Sequence, residues 1–192
     1  MTAQTLPPPI SPEDYLALEE KSEIKHEYID GQIYAMAGTT DDHNILVGNL
    51  YTNLRNHLRG QPCRTYFTDI KIRLEQRNRF YYPDLFVTCD PRDSETSTYK
   101  QYPKLIIEVL SDSTEAFDRG DKFNDYQTLP SLEEYSLVNT KQQRIETFRR
   151  QPNGLWLLQT YTPKAILEFQ SICLNIHLSD IYTDIDLDRN LN

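Results

Sequence analysis

Two short apolar runs constrain this chain more than any other feature: Tyr81-Tyr82-Pro83-Asp84-Leu85-Phe86-Val87 and Lys104-Leu105-Ile106-Ile107-Glu108-Val109-Leu110-Ser111. Each is rich in β-branched and aromatic residues over one strand's length, which predicts a strand buried inside a sheet. Each also holds a single carboxylate, Asp84 in the first and Glu108 in the second. An ionised carboxylate in a low-dielectric interior is costly unless it pairs, ligates a metal or takes up a proton. Two such acids on successive strands predict a divalent-cation site. Hard cations such as Mg²⁺ take one or two protein carboxylates and complete their shell with water and substrate phosphate.

Composition narrows the class. With 192 residues, 38% hydrophobic and 26% charged, the chain suits one globular domain with a sizeable core. No apolar stretch is long enough to span a membrane, and the first ten residues show neither the basic nor the apolar region of a secretory signal. The three cysteines, Cys63, Cys89 and Cys173, lack CxxC spacing and are expected to be reduced thiols in a cytoplasmic protein. A net charge of −9 and a pI near 4.9 argue against avid nucleic-acid binding, which normally shows as a basic face. Only Lys141, Arg144, Arg149 and Arg150 approach a basic cluster. Thirteen tyrosines offer base-stacking faces, although strand tyrosines usually pack half-buried.

The expected organisation is one domain over residues 11–181, with flexible termini at 1–10 and 182–192. Ser11-Pro12-Glu13-Asp14 signals a helix start, and Asp30-Gly31 signals a two-residue hairpin turn after Glu27-Tyr28-Ile29. Val47, Leu50, Tyr51, Leu54 and Leu58 keep helical period over 42–59, with His43 on the same stripe and Asp41 or Asp42 as the cap. Strands are expected over 64–74, 80–89 and 105–111, separated by a polar, mobile loop at 90–101. A helix follows over 118–128, then strands over 134–138, 144–150, 155–161 and 166–174 as a further β layer. Asp118, Lys122 and Tyr126 share a face of that helix at i, i+4 and i+8, from which the Lys122 ammonium can reach the two acids.

The ordered set of Glu27-Tyr28-Ile29-Asp30-Gly31, His43, Pro83-Asp84, Leu105 to Ser111, and Asp118-Arg119-Gly120-Asp121-Lys122 with Tyr126 resembles the Uma-two family of endonuclease domains. That family is part of the PD-(D/E)XK restriction-endonuclease-like superfamily. The resemblance spans roughly 11–138 and implies an α/β fold with a mixed central sheet flanked by helices, with additional C-terminal strands. It implies Mg²⁺- or Mn²⁺-dependent hydrolysis of DNA phosphodiesters. Asp84, Glu108 and the Val109 carbonyl would hold the metal, Lys122 would act on the attacking water, and His43 and Glu27 would support them. It also implies a homodimer. One position departs from the superfamily motif: its lysine falls two residues after the second acid, where this chain has Leu110, and the reading moves that role to Lys122.

Each residue also has a structural reading. Asp84 after Pro83 can start a turn, Glu108 can be a buried acid paired with a cation, and Lys122 can pair with Asp118 on a solvated face. His43 can simply sit at a helix start, and Glu27 can point to either side of its strand. An inert binding or assembly module of the same fold is therefore the alternative function. A hydrolase of small phosphorylated molecules is a third. For a DNA-cutting enzyme of this charge, binding is expected to be weak and metal-dependent, with Lys122, Arg119 or Lys71 as local phosphate contacts and no membrane partner.

Overall fold

The computed structural model describes residues 8–36 and 38–187. Ser11 caps α1 (Pro12–Glu19) as its sequence predicts, its side chain accepting the Asp14 amide at 3.0 Å. β1 (His26–Ile29) and β2 (Gln32–Ala35) then form the expected antiparallel hairpin. Its turn places Asp30 at φ 50° and Gly31 at φ 91°. A Cβ on Gly31 would stand 2.4 Å from that of Pro9, so glycine is required there twice over. The apolar stripe forms α2 (Asp41–His57), but Thr40 caps it rather than Asp41 or Asp42. Leu46, Val47, Leu50 and Leu54 are its buried face.

Two of the expected strands divide. The run 64–74 becomes β3 (Arg64–Phe67) and β4 (Lys71–Leu74), which lie in different sheets, with Thr68 at φ 46° between them. The run 80–89 likewise becomes β5 (Arg79–Tyr81) and β6 (Leu85–Thr88). The break falls at Tyr82-Pro83-Asp84, where Pro83 has no amide to continue a ladder. Asp84 therefore occupies the junction between sheets, not a strand interior.

The loop expected at 90–101 is ordered. It carries a short helical turn at Pro91–Ser94 and β7 (Tyr99–Lys100). Buried Asp93 fastens it by accepting from the Thr88 hydroxyl and from the amides of Gln101 and Tyr102. β8 (Pro103–Val109) follows. The helix expected over 118–128 is broken at Gly120 into α3 (Glu115–Arg119) and α4 (Asp121–Tyr126).

The last elements are β9 (Glu134–Val138), β10 (Ile145–Arg150), β11 (Trp156–Tyr161), β12 (Ile166–Phe169), β13 (Leu174–His177) and α5 (Leu178–Ile181). The strand expected over 166–174 is thus a hairpin, turned at Cys173 with φ 54°.

The sheets run β2-β1-β5-β4-β7 and β11-β10-β9-β8-β6-β3, with β12-β13 as a separate pair. β8 pairs parallel to β9 and antiparallel to β6, which makes the central sheet mixed as expected. β9 to β11 extend that same sheet and do not form a second layer. α2 and β12-β13 cover one face, where Leu105, Ile107 and Val109 of β8 pack. α4 covers the other, against Ile106, Leu110 and Tyr135. Burial on both faces explains why β8 reads as one apolar run.

Cys63 and Cys89 are joined in a disulfide, contrary to the expectation of three reduced thiols. They lie 26 residues apart in sequence, but the Arg64–Thr88 pairing of β3 with β6 makes them neighbours. Cys173 is free and exposed. The terminal segments expected to be flexible are docked where they are described. The Ile10 amide donates to Gly31 O at 3.0 Å, and buried Tyr182 donates to Asn139 O at 2.8 Å. Residues 1–7 and 188–192 of those segments lie outside the described residues. Among the described residues, no helix is long and apolar enough to cross a membrane.

Candidate active site

β8 delivers Glu108 to the α4 face of the sheet, where it is 2% exposed. A reciprocal exchange holds it against Asp84: the Asp84 amide donates to Glu108 Oε2 at 3.1 Å, and the Val109 amide donates to Asp84 Oδ2 at 2.8 Å. The break at Gly120 lets α4 turn and place Lys122 beneath both strands. Lys122 Nζ stands 3.0 Å from Glu108 Oε1, 3.2 Å from Glu27 Oε1 and 3.5 Å from Asp118 Oδ1. Glu27 reaches in from β1 and also accepts the Tyr82 amide at 3.1 Å. Tyr126, one turn beyond Lys122, donates to Glu108 Oε1 at 3.3 Å. From the first turn of α2, His43 Nε2 lies 3.3 Å from Asp84 Oδ2.

The structure brings Asp84, Glu108, Lys122, His43 and Glu27 into one cluster, together with the Val109 backbone. Asp118 and Tyr126 belong to the same cluster. In sequence they are visible as partners of Lys122 on a helical stripe and as part of the family resemblance, but not as contacts of the strand acids. Two residues expected at a phosphate surface are engaged elsewhere. Lys71 is buried with Nζ on the Tyr82 hydroxyl at 3.0 Å, and Arg119 pairs with Glu115 and Glu146.

The charge balance is uneven. Three carboxylates, Glu27, Glu108 and Asp118, share one ammonium, and the fourth, Asp84, has His43 beside it. Burial pushes the Glu108 carboxyl well above the usual carboxylate range; the Asp118 and Asp84 charges push the same way, and Lys122 pulls it back. Burial also raises Asp118. For Lys122, burial opposes the charged form, but Glu108 and Glu27 outweigh it and hold the ammonium protonated. Burial likewise opposes a charged His43 ring, and its contact with Asp84 reverses the balance and raises it.

Among the described residues, no three His, Cys, Asp or Glu side chains form a ready-made cation cage, and Lys122 stands against Glu27, Glu108 and Asp118. The donor chemistry nevertheless fits a hard divalent ion beside Asp84. Two carboxylates and a backbone carbonyl suit Mg²⁺ or Mn²⁺. The buried Nδ1 of His43 also lacks a hydrogen-bond partner among the described residues.

Residues 12–179 match the Uma2 family model, described as "Putative restriction endonuclease". The chain belongs to this family. It is 42% identical over 175 residues to an uncharacterized protein of Synechocystis sp. (PCC 6803), covering 91% of this chain and 92% of that protein. A second uncharacterized Synechocystis protein is 33% identical over 147 residues, covering 76% of this chain and 83% of the relative. A crystal structure from Anabaena variabilis, described as a "putative nuclease belonging to DUF820", superposes with a TM-score of 0.75. It is 17% identical and covers 91% of this chain and 98% of that one, so the fold is shared. In this Uma2 member Leu110 is buried, its amide tied to Val138 O at 2.8 Å. The ammonium beside Glu108 comes instead from α4.

Proposed function

We propose that this Uma2 chain hydrolyses DNA phosphodiester bonds with the help of Mg²⁺ or Mn²⁺. The observation that carries the reading is the imbalance at Glu108: three carboxylates share one ammonium with Asp84 alongside, an excess of acid groups that a divalent cation would offset. Asp84, Glu108 and the Val109 carbonyl would hold the ion. When bound, the ion would supply Lewis-acid polarisation of the scissile phosphate. Lys122 positions the attacking water and meets charge developing on the phosphate. Glu27 and Asp118 keep that ammonium in place. His43 orients Asp84.

Binding to DNA is weak and metal-dependent in this account, since a chain of net charge −9 repels a polyanion. A homodimer is supported by β11, an edge strand in the uncharged run 155–162 with Leu155, Leu157 and Leu158 exposed.

The test is cleavage of single-stranded and duplex DNA with Mn²⁺, Mg²⁺ or chelator, by wild type and Glu108→Gln. Metal-dependent cleavage that Glu108→Gln abolishes is expected; no cleavage under any metal would overturn the reading. One observation favours the alternative of an inert module. The three protons of Lys122 meet three carboxylates, which leaves none for a water. In that case cation binding would be absent as well as turnover.

A further inference from the structure

Two acids of the cluster, Glu27 and Asp84, lie where a backbone ladder runs out. β1 pairs with β5 at Tyr28–Phe80 and Ile29–Arg79. The same register, continued, sets His26 opposite Tyr82, beyond the end of that ladder. Glu27 follows His26, and Pro83-Asp84 follows Tyr82. Buried Glu19, the last residue of α1, joins the two segments. Its Oε1 accepts the His26 amide at 2.9 Å and the Tyr82 hydroxyl at 2.9 Å, and its Oε2 lies 3.2 Å from His26 Nδ1. Tyr15, also of α1, donates to His26 O at 2.6 Å. Since the Tyr82 amide donates to Glu27 Oε1 at 3.1 Å, Glu19, His26, Glu27 and Tyr82 form a closed ring. Lys71 supports it from β4: its buried Nζ donates to the Tyr82 hydroxyl at 3.0 Å. Burial and the contact with Glu19 hold the Tyr82 phenol protonated, so it donates to Glu19 while accepting from Lys71.

We propose that Glu19 and Tyr82 are positioning residues, a strap from α1 that fixes where Glu27 and Asp84 stand at the Glu108–Lys122 cluster. This rests on the metal-site reading above and extends it to residues outside the cluster. Asp84 belongs to neither β5 nor β6, so its place depends on what holds its neighbours. On one side the Thr68 amide holds its carbonyl at 3.2 Å; on the other the strap holds Tyr82 by side chain and amide. Without that hold, the exchange of the Asp84 amide with Glu108 and of the Val109 amide with Asp84 loses its fixed geometry. Glu27 depends on the same strap, because His26 is gripped at its amide, ring and carbonyl. The shared Oε1 makes the connection. Glutamine at position 19 offers an equivalent carbonyl oxygen, whereas alanine offers none. Groups that orient a metal ligand commonly change metal affinity by about 10–100-fold.

The experiment has two readouts: amide hydrogen exchange by NMR on the metal-free protein, and Mn²⁺ affinity by calorimetry. Wild type, Glu19→Ala, Glu19→Gln, Tyr82→Phe and Tyr182→Phe are compared. Tyr182 is the control, a buried phenol bonded to the Asn139 and Arg144 carbonyls instead. Glu19→Ala and Tyr82→Phe are expected to speed exchange at the Asp84 and Val109 amides about tenfold and to weaken Mn²⁺ about tenfold. Glu19→Gln should keep both near wild type, and Tyr182→Phe should lower stability without moving either. Unchanged exchange at those two amides would overturn the strap. So would an equal change in Tyr182→Phe, a glutamine variant that fails like alanine, or Mn²⁺ affinity indifferent to Glu19 and Tyr82. If Glu19→Ala and Tyr82→Phe both failed to fold, the two residues would support the whole fold, which also overturns it. Exchange that follows the strap in a wild type taking up no Mn²⁺ would keep the strap and remove the metal reading.

Discussion

Glu108 and Glu134 lie on neighbouring parallel strands of one sheet, and both are almost wholly buried. Their surroundings differ in kind. Glu134 faces one cation, Arg149, whose Nε lies 2.7 Å from Oε1. The Gln170 and Ser171 amides and the Ser171 hydroxyl complete its acceptor sites at the β12-β13 hairpin. One negative charge meets one positive charge, and the hydrogen bonds tie a hairpin to the sheet. Glu108 shares its lysine with two further carboxylates and lies against a third, Asp84. A balanced, saturated acid is architecture. The acid that shares its cation is the one on which the proposed metal site rests.

The largest effect expected from this contrast is at the balanced pair. Arg149→Met leaves Glu134 buried without its counter-ion and should cost about 3–5 kcal/mol in denaturant unfolding. A loss below about 1 kcal/mol would mean that the pair does not support the fold.

Next comes Lys122→Met, which removes the ammonium shared by Glu27, Glu108 and Asp118. It should abolish turnover and destabilise the protein by about 3 kcal/mol at mildly alkaline pH. The sign of its pH dependence follows from the raised carboxyls. Glu108 and Asp118 already hold their protons above the usual range, and losing Lys122 raises them further. The folded state then binds more protons than the unfolded one, so the variant should regain stability as pH falls. Stability that declines on acidification instead would contradict the electrostatic account.

Glu108→Gln should behave unlike any change at Glu134. It removes a carboxylate that the fold holds at a cost, so stability should stay equal or rise by about 1 kcal/mol while turnover is lost. Stability loss as large as that of Arg149→Met would erase the distinction between the two sites. The smallest effect sharpens the scale. Lys104 and Glu133 pair at 3.1 Å on the surface, and Lys104→Ala should change stability by about 0.5 kcal/mol or less.

The sequence carries the acid and lysine cluster more legibly than the strand boundaries. Asp84 and Glu108 stand out because acids inside apolar runs need a reason, and Lys122 lies on a stripe that can reach them. The divided strands were not legible, because Tyr66 to Ile72 keeps its apolar pattern through Thr68, where only a positive φ turns the chain into another sheet. Pro83 did offer a signal for the second break. The Cys63–Cys89 disulfide depends on a β3-β6 pairing that spacing along the chain does not reveal. Asp118 is not marked as a site residue by sequence, because its i+4 pairing with Lys122 also occurs on solvated helices.

The most direct test of the central claim is a calorimetric Mn²⁺ titration of wild type, Asp84→Asn and Arg149→Met, each checked for folding. The account predicts one Mn²⁺ site in wild type, retained by folded Arg149→Met and lost in Asp84→Asn. Binding should also weaken as pH falls, at a higher pH than ordinary carboxylates would give, because the Glu108 carboxyl is raised. A wild-type protein that takes up no Mn²⁺, or an Asp84→Asn variant that binds it equally well, would contradict the assignment of the Glu108 cluster as a cation-dependent centre.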